Sequence, residues 1–331
     1  MRAVTHTRFA EPDEVLEVTE VPTGEPGPRE VRIRMLLSPI HNHDLWTVRG
    51  TYGFKPELPA RAGTEAVGVI EAVGDEVTGL SVGQRVATGG SFGAWAETFV
   101  TRAGGLIPVD DALPDEAAAQ LVAMPFSAIS LLHSLDLAPG SWLVQNAANG
   151  AVGRMVAQIA AARGVNVIGL VRRTAAVAEL AEQGIQRIVA TRDDDGTGGA
   201  DWRDRVAELT GGAPIAAGVD SVGGPATADV ASVLGDDAHL VIFGSMGAPE
   251  ICLPAGPVIF RQLTISGFWG SRVSREMDAT TRGELFAELG RLLASGELTL
   301  PVAAIHPLDE IVDAVRASQT PGRVGKVLLR P

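Results

Sequence analysis

Trp142-Leu143-Val144-Gln145-Asn146-Ala147-Ala148-Asn149-Gly150-Ala151-Val152-Gly153-Arg154-Met155-Val156-Ala157-Gln158-Ile159-Ala160-Ala161 is the stretch that decides the fold. An apolar strand, a run of small residues and an amphipathic helix follow one another. The small residues at 147, 150 and 153 match the spacing of a glycine-rich phosphate turn. In such a turn the backbone N–H groups at a helix N-terminus face a pyrophosphate with no Cβ in the way. The first position of the fingerprint is alanine here; the strand before it and the helix after it support the reading.

Working outward, the alternation continues. Strands are predicted at 142–146, 165–171, 187–190, 215–220, 239–243 and 263–267. Helices are predicted at 151–163, 174–183 and 201–209. This pattern implies βαβ units and a parallel, doubly wound sheet. The loop Asp193-Asp194-Asp195-Gly196-Thr197-Gly198-Gly199 reads as solvated surface.

The first third has a different grammar. Val15 to Val18, Val31 to Met35, Ala66 to Gly74, Gly79 to Ala87 and Trp95 to Val100 read as short strands among turns, the pattern of a small barrel. Helices are predicted to start at Pro114 and to run from Ser127 to His133. After a helix at 281–295, strands return at Pro301 to Ile305 and Gly325 to Leu329. The C-terminal end is therefore expected to pack back on the N-terminal domain, and the cleft between domains is the natural ligand site. The boundaries read as 1–117, 118–270 and 271–331.

The chain has 331 residues, a net charge of -13, one cysteine and one tyrosine. That charge argues against non-specific binding to nucleic acid or anionic lipid. No apolar run is long enough to span a membrane, and no targeting segment is read, so a cytoplasmic enzyme is expected. The single Cys252 excludes an internal disulfide and a multi-thiolate metal site.

The second strand of the βαβ region ends at Arg172-Arg173. A dinucleotide site selective for NAD carries an acid there, for the ribose hydroxyls. Two arginines instead suit a 2′-phosphate, which favours NADPH. The alternative is a solvated arginine pair.

These residues resemble the medium-chain dehydrogenase/reductase superfamily. Within it the chain is most similar to the zinc-independent 2-enoyl thioester reductases and more distantly to quinone oxidoreductases. The most specific segments are Gly50-Thr51-Tyr52-Gly53-Phe54-Lys55-Pro56-Glu57-Leu58-Pro59, Val144-Gln145-Asn146-Ala147, and Val258-Ile259-Phe260-Arg261-Gln262-Leu263-Thr264-Ile265-Ser266-Gly267-Phe268-Trp269. The resemblance implies an α/β protein: a GroES-like β-barrel catalytic domain built from both chain ends, with a Rossmann domain between. It implies a homodimer joined through the Rossmann sheets and NADPH held between the domains. It places Asn149, Gly150, Ala151 and Val152 at the pyrophosphate, and Arg172, Arg173 and Thr174 at the adenosine phosphate. Phe243, Gly244, Ser245 and Met246, with Phe268, Trp269 and Gly270, flank the nicotinamide, and Lys326 reaches in from the C-terminal strand. Two departures bear on the substrate pocket: His41-Asn42-His43-Asp44 stands where the family often has Asn-Pro-Ser-Asp, and Met124-Pro125 where it has Asn-Pro.

His41-Asn42-His43-Asp44 also invites a metal reading. In the zinc alcohol dehydrogenases a cysteine falls at the position of His41, and Gly-His-Glu supplies the second ligand. That triplet is Gly63-Thr64-Glu65 here, and no third ligand is evident, so no metal is expected. The other reading is that His41, His43 and Asp44 hydrogen-bond around the cleft.

Reduction of an activated alkene needs a hydride at the β-carbon, a stabilised enolate oxygen and a proton at the α-carbon. A phenol is protonated at neutral pH and gives its proton to a stronger base. The resemblance gives this role to Tyr52; the other reading is a packing tyrosine in a turn. His43 is a secondary candidate at the substrate. Trp269 walls an acyl pocket or belongs to the core. The leading expectation is thus an NADPH-dependent 2-enoyl thioester reductase acting on a small-molecule or acyl-carrier substrate. The alternatives are a quinone or α,β-unsaturated carbonyl reductase, a zinc-type alcohol dehydrogenase, and a non-catalytic NADPH-binding protein.

Overall fold

The computed structural model describes residues 1–182, 184–192 and 201–331; the predicted solvated loop at 193–199 lies outside them. Contacts divide the chain into Met1–Met124 with Leu300–Pro331, and Pro125–Thr299. The first unit opens with β1 (Arg2–His6), the single-turn α1 (Pro12–Val15), β2 (Glu17–Glu20), β3 (Glu30–Pro39) and α2 (Asn42–Arg49). It continues through β4 (Ala60–Arg61), β5 (Ala66–Val73), β6 (Arg85–Thr88), β7 (Thr98–Arg102), β8 (Ile107–Pro108) and α3 (Asp115–Ala118).

The long strand β3 organises this unit. Val31, Ile33 and Met35 point inward and are wholly buried, as the two-residue period of a half-buried strand requires. β3 pairs antiparallel with β5 and with β7. The segment read as a strand from Val15 begins at Glu17, because Pro12, Asp13 and Glu14 make a helical turn first. The strand read from Trp95 is regular only from Thr98; before it, Ala96 makes a single antiparallel bridge to Ala3. Trp95 instead sits fully buried, its indole N–H donating to the Pro39 carbonyl at 3.2 Å. Gly63 lies flat against that indole with φ +88°, and a Cβ there would sit 2.3 Å from the ring. Only glycine fits.

The second unit takes in α4 (Met124–Leu135), β9 (Trp142–Gln145), α5 (Ala151–Ala162), β10 (Asn166–Val171), α6 (Ala175–Ala181) and β11 (Ile188–Ala190). Then follow α7 (Trp202–Thr210), β12 (Ile215–Asp220), α8 (Pro225–Ser232), β13 (His239–Ile242), α9 (Ala255–Phe260), β14 (Thr264–Gly267), α10 (Gly270–Glu276) and α11 (Ala279–Ser295). The strands form one parallel sheet in the order β11-β10-β9-β12-β13-β14. Counted within the unit this is 3-2-1-4-5-6, the doubly wound order of dinucleotide-binding folds. Met155, Val156, Ile159 and Ala160 on α5 are buried, so one stripe of the helix covers the sheet.

The chain then returns to the first unit as β15 (Val302–Pro307), α12 (Ile311–Gln319) and β16 (Lys326–Arg330). β16 pairs antiparallel with the end of β3, Leu328 opposite Pro39 and Leu329 opposite Ser38. The second boundary falls at 299/300 rather than 270/271. The reason is α11: Arg163 holds Glu288 through two hydrogen bonds of 2.8 Å, and Phe286 stacks on Phe126 at 4.6 Å. The first falls at 124/125 rather than 117/118, since Val122 and Ala123 donate to the carboxylate of Glu65. Among the described residues no helix is long and apolar enough to cross a membrane.

Candidate functional site

In the second unit the residues predicted to bind a dinucleotide lie at the carboxyl ends of adjacent strands, where open parallel sheets bind their ligands. The turn after β9 runs from Asn146 to Gly150 and delivers the N-terminus of α5. Ala147 takes the left-handed conformation at φ +49°, which costs a non-glycine residue about 1–2 kcal/mol. Its carbonyl accepts the Gly150 N–H at 2.8 Å. Gly153 packs so closely that a Cβ would lie 2.8 Å from the Ala147 oxygen and 2.9 Å from the Ala148 Cα. A cradle of this shape suits a pyrophosphate.

Two residues that sequence reasoning passed over brace that turn. The Asn146 amide donates to Asp220 at 2.5 Å and its oxygen accepts the Ser221 N–H at 2.7 Å. Asp220, fully buried at the end of β12, also accepts from the N–H groups of Val222 and Gly223 and from the Thr227 hydroxyl. The available signal was a polar residue closing each of two apolar strands.

Arg172 and Arg173 follow β10 and are exposed, with Thr174 just ahead of α6. Among the described residues neither guanidinium is given a carboxylate partner. After β13, Phe243 and Gly244 donate to the Asp220 carbonyl, and Met246 to that of Ser221. Phe268, at the end of β14, stacks on Phe243 at 5.6 Å. The structure thus brings 243–246 beside 268–270. Trp269 is 46% exposed, which removes the core reading for it.

The other predicted residues belong to the first unit. Tyr52 lies just past α2, where the N–H groups of Thr51 and Tyr52 both return to the Trp46 carbonyl. The His43 ring stands 5.8 Å from the Tyr52 ring and stacks on His41 at 4.9 Å, 17° from parallel. His43 Nε2 bonds to Thr64 Oγ at 2.8 Å, and the Thr64 hydroxyl donates to Asp44 at 2.7 Å. His41 Nε2 meets Glu65 at 2.5 Å, both side chains wholly buried. The second Glu65 oxygen accepts from Val122 and Ala123 at 2.6 and 2.8 Å. Lys326 is buried on β16 with its ammonium at the Ile40 carbonyl, 3.5 Å away.

Burial dominates the electrostatics of this cluster. It pushes the Glu65 carboxyl up to about 7, against the two backbone donors. Burial and the neighbouring Lys326 and His43 hold His41 well below the usual imidazole range. Burial, then Arg323, brings Lys326 down to about 8, against the pull of Asp44 and Glu65.

These residues do not make a zinc set. His41 directs Nε2 at Glu65 and His43 directs Nε2 at Thr64, and two rings stacked face to face do not point lone pairs at one ion. Among the described residues no group of three or more His, Cys, Asp or Glu is arranged to hold a metal.

Comparisons with known proteins follow the same division. Residues 27–111 match the alcohol dehydrogenase GroES-like domain, and residues 151–285 match the zinc-binding dehydrogenase family. The chain is 30% identical to the mitochondrial enoyl-[acyl-carrier-protein] reductase of Xenopus tropicalis over 327 residues, 97% of this chain and 92% of the relative. The chain belongs to the medium-chain dehydrogenase/reductase superfamily. Among solved structures it is similar to a putative NADPH:quinone reductase from Bacillus thuringiensis, with a TM-score of 0.89 and 28% identity. That match covers 100% of this chain and 98% of the other. A mycobacterial protein complexed with NADPH gives a TM-score of 0.87 at 28% identity, with both chains covered in full. As a member of this superfamily the chain is an oxidoreductase.

Glu65 yields a test of the buried cluster. A carboxyl that titrates at about 7 when folded and near 4.5 when unfolded holds its proton more tightly in the folded chain. Raising the pH from the lower value to the higher therefore favours unfolding. Glutamine keeps the same bonding pattern without titrating. Glu65→Gln should gain stability relative to wild type across that window, by at most about 3 kcal/mol. Urea unfolding of both proteins at about pH 5 and about pH 7.5 checks this; an unchanged difference would refute the shift.

Proposed function

We propose that the chain is an NADPH-dependent reductase of the C=C bond of a 2-enoyl thioester. The observation that carries the reading is the placing of Tyr52, the one phenol in the chain, past the end of α2 with its ring beside His43. The similarity to enoyl-[acyl-carrier-protein] reductases over nearly the whole chain supports it. So does an apolar surface that begins two residues after it: Phe54 and Phe92 pair at 4.6 Å and both are exposed, as an acyl chain would require.

The residues present fit NADPH. Asn149, Gly150, Ala151 and Val152 hold the pyrophosphate at the α5 N-terminus, where Gly153 lets the helix pack tightly on the Ala147–Ala148 backbone. Arg172, Arg173 and Thr174 hold the adenosine phosphate. Phe243 to Met246 and Phe268 to Gly270 hold the nicotinamide end. Bound NADPH supplies the hydride that reaches the β-carbon. Tyr52 donates its hydroxyl proton to the α-carbon. Trp269 lines the acyl pocket.

A quinone or enone reductase is the second reading, favoured by the likeness to the putative NADPH:quinone reductase. A quinone needs no proton at carbon, so the two readings differ at Tyr52. The proposal includes a homodimer formed through the sheet edge of the second unit. Among the described residues β14 pairs with β13 alone, and α9 before it leaves Ile259 and Phe260 exposed, the latter at 84%. A reducing compartment such as the cytoplasm suits the exposed free thiol of Cys252.

Tyr52→Phe should lower turnover of a trans-2-enoyl thioester about 100-fold with NADPH affinity held within about twofold. Full thioester turnover in this variant would sink the reading, and quinone reduction as its only remaining activity would favour the second. Arg172→Ala with Arg173→Asp should raise KM for NADPH by about 10- to 100-fold more than KM for NADH; an equal rise for both would remove the phosphate assignment. Phe260→Asp should shift the sedimentation coefficient from dimer to monomer, and a wild-type protein sedimenting as a monomer would exclude the dimer.

A further inference from the structure

The polar groups around His43 form a chain with a direction. Asp44 is buried and accepts on both oxygens, from the His41 backbone N–H at 2.9 Å and from the Thr64 hydroxyl at 2.7 Å. With its one proton committed to Asp44, the Thr64 hydroxyl can only accept from His43. His43 Nε2 must then carry a hydrogen, donated to Thr64 over 2.8 Å. His43 Nε2 is itself 3.7 Å from Asp44, too far for a direct bond, so the hydroxyl is what couples imidazole to carboxylate. With Nε2 committed, Nδ1 is the nitrogen that takes up and releases a proton. The His43 ring lies between His41 and Tyr52 and keeps 19% of its side chain exposed. It is the member of the chain that meets both water and the phenol.

We propose that His43 returns a proton to Tyr52 after each turnover, with Thr64 and Asp44 as positioning residues that fix its tautomer. The inference rests on the reading of Tyr52 as the proton donor. The proton balance closes on solvent. Water protonates Nδ1; the Nδ1–H bond breaks as the Tyr52 Oη–H bond re-forms; that bond breaks in the next cycle as the α-carbon gains its hydrogen. No electrons move in these steps, since the reducing equivalent is the hydride of NADPH. Imidazolium formed during the transfer is stabilised by Asp44 through the intervening hydroxyl dipole. The threonine that stands in Gly63-Thr64-Glu65, where the zinc relatives have a histidine, thus acquires a task of its own.

Thr64→Val removes the hydroxyl and keeps the side-chain shape, and Thr64→Ser restores it. With trans-2-hexenoyl-coenzyme A and NADPH, Thr64→Val should lower kcat by about tenfold or more with both KM values within about twofold of wild type. Thr64→Ser should return most of the loss. Nitrogen-15 spectra of the histidine rings, taken without cofactor, should show His43 as the Nε2–H tautomer in wild type and Thr64→Ser and as a mixture in Thr64→Val. Wild-type kcat in Thr64→Val, or a Thr64→Ser no better than Thr64→Val, would overturn the relay. Should Thr64→Val fail to fold, His43→Phe keeps a stacked ring; a loss of kcat at constant KM supports the relay and wild-type kcat overturns it. Tyr52→Phe in the same series separates the two claims. Full turnover in that variant ends both, whereas an impaired Tyr52→Phe beside a normal Thr64→Val ends the relay alone.

Discussion

Removing a carboxyl from water costs several kcal/mol unless its oxygens are fully partnered, and Glu65 meets that condition with partners from separate segments. His41, just ahead of α2, takes one oxygen; Val122 and Ala123, just ahead of α4, take the other. Each partner is fixed by the need to satisfy the same buried group. The consequence spreads along α2, because Asp44 anchors the backbone of His41 and Tyr52 follows three residues past the helix end. The packing of Gly63 against Trp95 is part of the same constraint, since it determines where Thr64 and Glu65 leave the turn. Surface ion pairs such as Arg29–Glu76 contribute at most about 1 kcal/mol each and do not shape this unit.

The second unit depends on a comparable group. Asp220 collects backbone, amide and hydroxyl donors at the end of β12 and so ties the turn after β9 to the loop after β12. Those are the strands at which the sheet order reverses. A carboxylate buried there acts as a cross-brace for the loops that hold a ligand.

The βαβ region was legible because its hydrophobic period switches cleanly between strand and helix, and its apolar strands end on turn residues. The first unit was harder. Trp95 reads locally as a strand residue, and only the approach of Gly63, 32 positions earlier, makes it a core anchor. α2, α8, α9, α10 and α12 went unread; α2 opens with Asn42-His43-Asp44, which drew attention as possible ligands and not as a helix start. Of the candidate site, Tyr52, His43 and the Arg172-Arg173 pair were visible as residue types in context. Glu65 and Thr64 were noticed only for the metal ligand they fail to supply. Their hydrogen bonds span 20 or more positions, and no local pattern in a single chain announces such contacts. Lys326, placed by resemblance, proves to be a buried cation beside the Ile40 carbonyl.

Ala147 shows what the bracing of the β9 turn achieves. A left-handed alanine is a conformation the isolated chain would leave, and here Asn146, Gly150 and the Gln145 amide bound to the Gly153 carbonyl hold it in place. The ordering entropy of this loop is therefore met when the chain folds and not when a ligand arrives. Preorganisation of this kind leaves more of the gross contact energy to appear as affinity, and it ties the tightness of binding to the folding stability of the second unit.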